Sequence, residues 1–250
     1  MKRFLLLSTC LLFAAAVFAQ FEITAGYSMS VPGGKMKDYI NLTHSISLRG
    51  IYRIPVNTKV WVGTDLSIGT YAEKTEKQTY EFTDGSTTTT NVRFSSNVFN
   101  GHALIGYDLL KEGKIVPYIT AKAGFSNYYS NIYIENPHDP NGCHALQNKN
   151  VFGDATFSYG AGAGVRFDGR KIFNSKSDNW AIEFSVNYLT GGTLDYLNVR
   201  HIQDNAGTGK DFMVKFVNVT TQQIHEHKVS EVYTSKLNQS DIRMSFVYRL

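Results

Sequence analysis

Between Phe21 and Leu250 the chain repeats one pattern eight times: apolar residues at every second position, with polar or very small residues between them. Successive side chains of a strand point to opposite faces, so each segment makes one apolar face and one polar face. The first sets Phe21, Ile23, Ala25, Tyr27, Met29 and Val31 against Glu22, Thr24, Gly26, Ser28 and Ser30. The sixth sets Ala155, Phe157, Tyr159, Ala161, Ala163, Val165 and Phe167 against Thr156, Ser158, Gly160, Gly162, Gly164 and Arg166. The last runs through Ile242, Met244, Phe246, Tyr248 and Leu250. No stretch carries a comparable helical period, so the chain is read as all-β.

Eight such segments suit either a soluble sandwich or a membrane barrel, and the connections separate the two. Those at 54–59, 110–114 and 168–179 are short; those at 32–41, 70–97, 126–154 and 189–239 are longer. Short and long alternate strictly. A transmembrane barrel does this because its turns lie on one side of the membrane and its loops on the other. The reading is an eight-stranded antiparallel up-and-down transmembrane β-barrel. Strand-like text in the last connection, Phe212, Val214 and Phe216 and then 229–233, either extends a hairpin above the membrane or gives a ten-stranded alternative.

The content of the faces agrees. A solvated face of a soluble sandwich is rich in Lys and Glu, whereas here the polar face is mostly Gly, Ser, Thr and Asn. That suits the interior of an eight-stranded barrel, which is only wide enough for side chains to fill. Parity assigns Glu22, Asp65, Glu183 and Asp241 to the lumen with Arg49, Lys122, Arg166 and Arg243. Four acids facing four bases in a closed interior predict a network of internal ion pairs, since buried charges need partners. Tyr27, Tyr52, Tyr107, Phe125, Phe157, Phe167, Trp180, Tyr188 and Tyr248, near the ends of apolar faces, predict an interfacial girdle.

Before the first segment, Lys2 and Arg3 precede an apolar run from Phe4 to Phe18, closed by Val17-Phe18-Ala19. This is the layout of a secretory signal peptide, cleaved after Ala19. Residues 1–19 are therefore expected to be removed, leaving 20–250 as the barrel domain. Loss of Lys2 and Arg3 lowers the formal charge from +4 to +2, which implies no nucleic-acid partner. Cys10 leaves with the signal, so Cys143 has no disulfide partner in the exported protein.

Signal peptide, eight alternating strands, alternating connections and a terminal strand together resemble the small OmpA-like and OmpX-like outer-membrane β-barrels. Gln20 directly after the cleavage site is similar to exported proteins of the Bacteroidota. Ile242, Met244, Phe246, Tyr248 and Leu250 resemble the carboxyl-terminal signal read by the barrel-assembly machinery, although many members end on Phe or Trp. The resemblance implies residence in the outer membrane among phospholipid and lipopolysaccharide. No periplasmic peptidoglycan-binding domain is expected after Leu250, so that anchoring role is not carried over.

Some barrels of this class are lipid A deacylases or acyltransferases with a Ser and a His near the outer leaflet. His44, Ser45 and Ser47 lie on the second segment, but parity sends His44 to the lipid side and both serines to the lumen. His102 reads as lumen filling. His225, Glu226 and His227 read as polar loop, and Gly160, Gly162 and Gly164 lie in a strand with no helix following, unlike a phosphate loop. No catalytic residue, cofactor or metal is expected. The expected role is structural or surface interaction, with an extracellular ligand held by the loops. The alternatives are a narrow pore or small-solute binder of porin-like type, and a lipid A-modifying enzyme.

Overall fold

A computed structural model describes residues 20–81, 87–136, 147–173, 179–199, 211–217 and 224–250. The expected signal peptide and Cys143 lie outside them. The strands are β1 (Phe21–Pro32), β2 (Thr43–Arg53), β3 (Val60–Glu81), β4 (Thr87–Asp108), β5 (Ile115–Ile134), β6 (Gln147–Asp168), β7 (Trp180–Leu197), β8 (Asp211–Val217) and β9 (Ile224–Arg249). A 3₁₀ turn, Gly34–Asp38, follows β1, and a short helix α1, Gly169–Phe173, follows β6.

Eight strands close in the order β1-β2-β3-β4-β5-β6-β7-β9, with β9 pairing back to β1 and every pairing antiparallel. β8 pairs only with the first part of β9. The ten-stranded alternative is thus corrected: the extra strand text forms a hairpin on one rim and does not widen the ring.

Register fixes the barrel's shape. Following paired residues from Phe21 through Tyr52, Val62, Ile105, Ala121, Ala161, Tyr188 and Ser240 returns to β1 at Val31, ten residues along. A stagger of about 33 Å around eight strands spaced about 4.8 Å apart inclines the strands by about 40°. At that tilt the alternating part of β1 rises about 25 Å, the height of an outer-membrane apolar band. The outward residues of that band are exposed apolar side chains, among them Ile46 at 72% and Phe157 at 64%. In water such a surface is strongly unfavourable; in lipid it is the stable arrangement.

Several strands continue well past the band. β3, β4 and β6 have 22 residues each, about twice the length the band requires. The connections at 70–97, 126–154 and 189–239, expected as long loops, are therefore largely strand. Along this extension the outside becomes polar, with Glu73, Thr75, Arg93 and Asp195 facing outward, while Val92, Phe94, Tyr128, Ile132, Ile134, Leu194 and Tyr196 are buried inside. Outside lipid the barrel must hide apolar side chains from water as a soluble protein does. Two bulges help make the exchange. The β3–β4 register slips between Thr70 and Ala72, so that Tyr71 and Ala72 are both buried, and the β7–β9 register slips between Thr190 and Thr193. Each bulge reverses which residues of its strand point inward.

Candidate functional site: the charged lumen and its two ends

Within the band the inward positions of β1, β2, β3, β5, β6, β7 and β9 bring all eight predicted lumen charges into the interior, each with no more than 7% of its surface exposed. They fall into two linked groups. Nearer the extension, Arg243 meets Asp65 at 2.7 Å, and the Lys122 ammonium lies 3.3 Å from Asp241 and 3.8 Å from Asp65. Nearer the short turns, Arg49 meets Glu183 at 2.7 Å, and Arg166 lies 3.5 Å from Glu183 and 3.9 Å from Glu22. Each of the eight has an opposite charge within 4 Å, as charges in a low-dielectric interior require.

The network has members beyond those eight, all on the same inward parity. Asp108, at the end of β4, accepts from Arg53 at 2.7 Å, from Arg166 at 3.4 Å and from the Trp61 indole at 2.9 Å. Arg53 also donates to Glu22 at 2.7 Å, and Arg249 lies 3.6 Å from Glu22 and 3.1 Å from Asp168. Arg53, Asp168 and Arg249 keep the inward parity of Arg49, Arg166 and Arg243 on their strands, at the strand ends beyond the eight charges first assigned to the lumen.

Trp61, Tyr118, Ile51 and Leu104 form an apolar cluster among these ions. Trp61 and Tyr118 meet edge to face at 5.8 Å, and the Arg166 guanidinium lies 5.4 Å from the Tyr118 ring centroid. Glycine makes room for both rings. A Cβ on Gly106 would come within 2.1 Å of Trp61, and one on Gly164 within 2.4 Å of Tyr118. Gly164 therefore serves to admit a side chain from a neighbouring strand.

Two histidines occupy opposite sides of the wall. His44 points outward and hydrogen-bonds the Tyr27 hydroxyl, while Ser45 beside it is buried inside, so the two are not a catalytic pair. His102 faces the lumen opposite Asp65 in register, and its Nε2 lies 2.8 Å from the Ser158 hydroxyl, which also accepts from Ser126 at 2.9 Å. This Ser and His are within hydrogen-bond reach, but His102 is 4% exposed and Ser158 0%. A nucleophile needs an approach for its substrate, and the buried Ser158 has no exposed surface to offer one. Residues 225–227 begin β9, but their side chains lie outside the described residues. Among the described residues no group of three or more His, Cys, Asp and Glu is placed to hold a metal ion.

Above the charges, Tyr128 donates to Gln239 at 2.9 Å, and the apolar core of the extension follows. Met36 and Ile40, carried over the rim by the 3₁₀ turn and the residues after it, complete this core. The turn is fastened by Tyr39 stacked on Tyr233 at 4.4 Å and by Asn198 donating to the Tyr39 carbonyl. Tyr71, at the β3 slip, donates to the Leu197 carbonyl at 2.8 Å, and Ser230 to the Asn198 carbonyl at 2.9 Å. At the other end a recess of about 570 Å³ opens among the short turns, with Arg166 in its lining.

No family model matches the sequence, and no curated protein matches it. Among solved structures, the chain is similar to neisserial surface protein A at 10% identity, with a TM-score of 0.42, covering 92% of this chain and 97% of that one. Ail, the attachment invasion locus protein of Yersinia pestis, solved with a heparin analogue, aligns at 11% identity and a TM-score of 0.42, over 92% and 98% of the two chains. The outer-membrane protease OmpT from Escherichia coli aligns at 8% identity and a TM-score of 0.35, over 92% and 95%. The closed ring, its stagger and its apolar outer band make this chain a membrane-type eight-stranded β-barrel.

Proposed function

We propose that the protein is a non-conducting, non-catalytic barrel of the bacterial outer membrane that serves a structural or surface-interaction role. Its short turns face the periplasm, and its extended strands stand outside the cell. In this reading it is exported by a signal peptide cleaved after Ala19, inserted by the barrel-assembly machinery, and embedded in phospholipid and lipopolysaccharide. The OmpA-like and OmpX-like resemblance and a Bacteroidota origin belong to the same reading.

One observation carries it: the lumen is obstructed twice in series. Ion pairs link side chains across the band, and the apolar core of the extension with Met36 and Ile40 stands above them. Buried charges resist displacement by a passing ion, because separating them leaves each without its partner in a low-dielectric interior. The extension, polar on its outside and about as tall as the band itself, is suited to presenting the β8–β9 hairpin and the connections beyond the strands to an extracellular ligand. The test is conductance of the purified, folded protein in a planar bilayer. No discrete conductance steps are expected in 1 M KCl; steady openings would replace this reading with a porin-like one.

A further inference from the structure

We infer that the recess at the periplasmic mouth is a binding site for a phosphate-bearing anion. Only its periplasmic orientation rests on the function proposed above; the recess and its lining do not. Its volume of about 570 Å³ falls among small-molecule sites, which occupy about 300–1,000 Å³.

The cations come from five parts of the fold. Arg53 ends β2, Lys111 lies in the β4–β5 turn, Arg170 and Lys171 lie on α1, and Arg166 and Arg249 come from β6 and β9. Strand ends, a turn and a short helix have placed six positive groups around one hollow. Among the described residues its carboxylates are Glu22, Asp108, Glu112 and Asp168, against six cations.

The arrangement of the charges matters more than their number. Glu22, Asp108 and Asp168 are engaged deep in the recess by Arg53, Arg166 and Arg249. This neutral inner layer fixes the arginines in position. Lys111, Arg170 and Lys171 line the recess from the turns, with Glu112 the acid contributed there. Guanidinium and ammonium groups converging on a partly enclosed space favour an anion with several oxygens, and phosphate matches both donor types.

Two sources offer that chemistry beside this mouth: a free phosphate or phosphate ester in the periplasm, and the headgroup of an anionic phospholipid in the inner leaflet. Titration calorimetry of the folded protein in a maltoside detergent, with pyrophosphate as probe, tests the first. Native mass spectrometry after release from phosphatidylcholine nanodiscs containing phosphatidylglycerol tests the second. The decisive variant is K111Q/R170Q/K171Q, which spares the inner ion pairs, with folding verified by heat-modifiable gel mobility. K74Q/K77Q, in the extension, controls for total charge. Saturable pyrophosphate binding weakened at least tenfold in the triple variant assigns a free phosphate. Phosphatidylglycerol retained by the wild type and lost from the triple variant, without pyrophosphate binding, assigns the headgroup. The inference is overturned if neither probe is retained, if the triple variant binds as the wild type does, or if K74Q/K77Q weakens binding equally. These outcomes do not depend on conductance, so its failure and that of the proposed function are told apart.

Discussion

The guanidinium of Arg49 on β2 donates a 2.7 Å hydrogen bond across the lumen to the carboxylate of Glu183 on β7, and both side chains are almost wholly buried. Arg166 shares the same carboxylate at 3.5 Å. Glu183→Gln leaves two buried guanidinium groups facing a neutral amide, at an expected loss of about 3–5 kcal/mol. A urea titration of the protein folded into detergent micelles reads this as a lower midpoint. Replacing both partners, in R49M/E183M, is expected to recover much of the loss, because Arg166 keeps Glu22 and Asp108. A double variant as unstable as E183Q alone would show that the pair itself carries the stability.

The outer band and the extension predict opposite responses to the same change. Leu66→Arg puts a charge on the lipid face and is expected to cost about 2–4 kcal/mol. Thr75→Arg lies further along β3, beyond the bulge, on the polar outside, and is expected to stay within about 0.5 kcal/mol. Folding yield into lipid vesicles compares the two, and equal yields would mean that the band does not end near Thr70.

The core of the extension predicts cavity costs. Leu194→Ala and Ile132→Ala remove fully buried side chains and are each expected to cost about 2–5 kcal/mol. Ile46→Ala, on the lipid-facing wall, leaves a gap that lipid can fill and is expected to cost much less. Thermal unfolding in one detergent ranks all three.

Tyr196 gives the extension a pH signature. Burial pushes its phenol up to about 12, opposed in part by its hydrogen bond with Ser235. The folded state then holds this proton more tightly than the unfolded state. The resulting stability is complete below about pH 10 and is lost as pH rises toward 12. Ultraviolet titration of wild type and Y196F is expected to differ by one phenol ionising late; identical curves would count against the burial.

Ser158 is expected to stay inert. A fluorophosphonate that labels serine nucleophiles is expected to leave the folded barrel unmodified, since the hydroxyl has no exposed surface. Labelling of wild type, lost in both S158A and H102A, would instead make the lumen pair a reactive site.

The band was legible in the sequence because its environment is uniform: lipid outside and polar filling inside force an unbroken period of two from Phe21 to Val31 and from Ile242 to Leu250. The same parity places the lumen charges and sets Asp108 on the inner face with Asn100 and His102, but parity does not show which charges pair across the lumen. The extension was hidden by a change of meaning. Val92, Phe94, Val98, Ile132 and Ile134 alternate as cleanly as any band residue, yet they face inward, and the signal for this was the polar residues between them. On β3 and β7 a bulge breaks the alternation where the reading stopped.

The exchange of inside and outside along one set of strands also sets how this protein can vary. An apolar residue is tolerated on the outer wall below the Thr70–Ala72 slip and on the inner wall above it, and a charge follows the reverse rule. Inserting or deleting a single residue there moves the boundary between two opposed substitution codes. The slip is thus a point of low tolerance, although its own side chains bind nothing in the mechanism proposed.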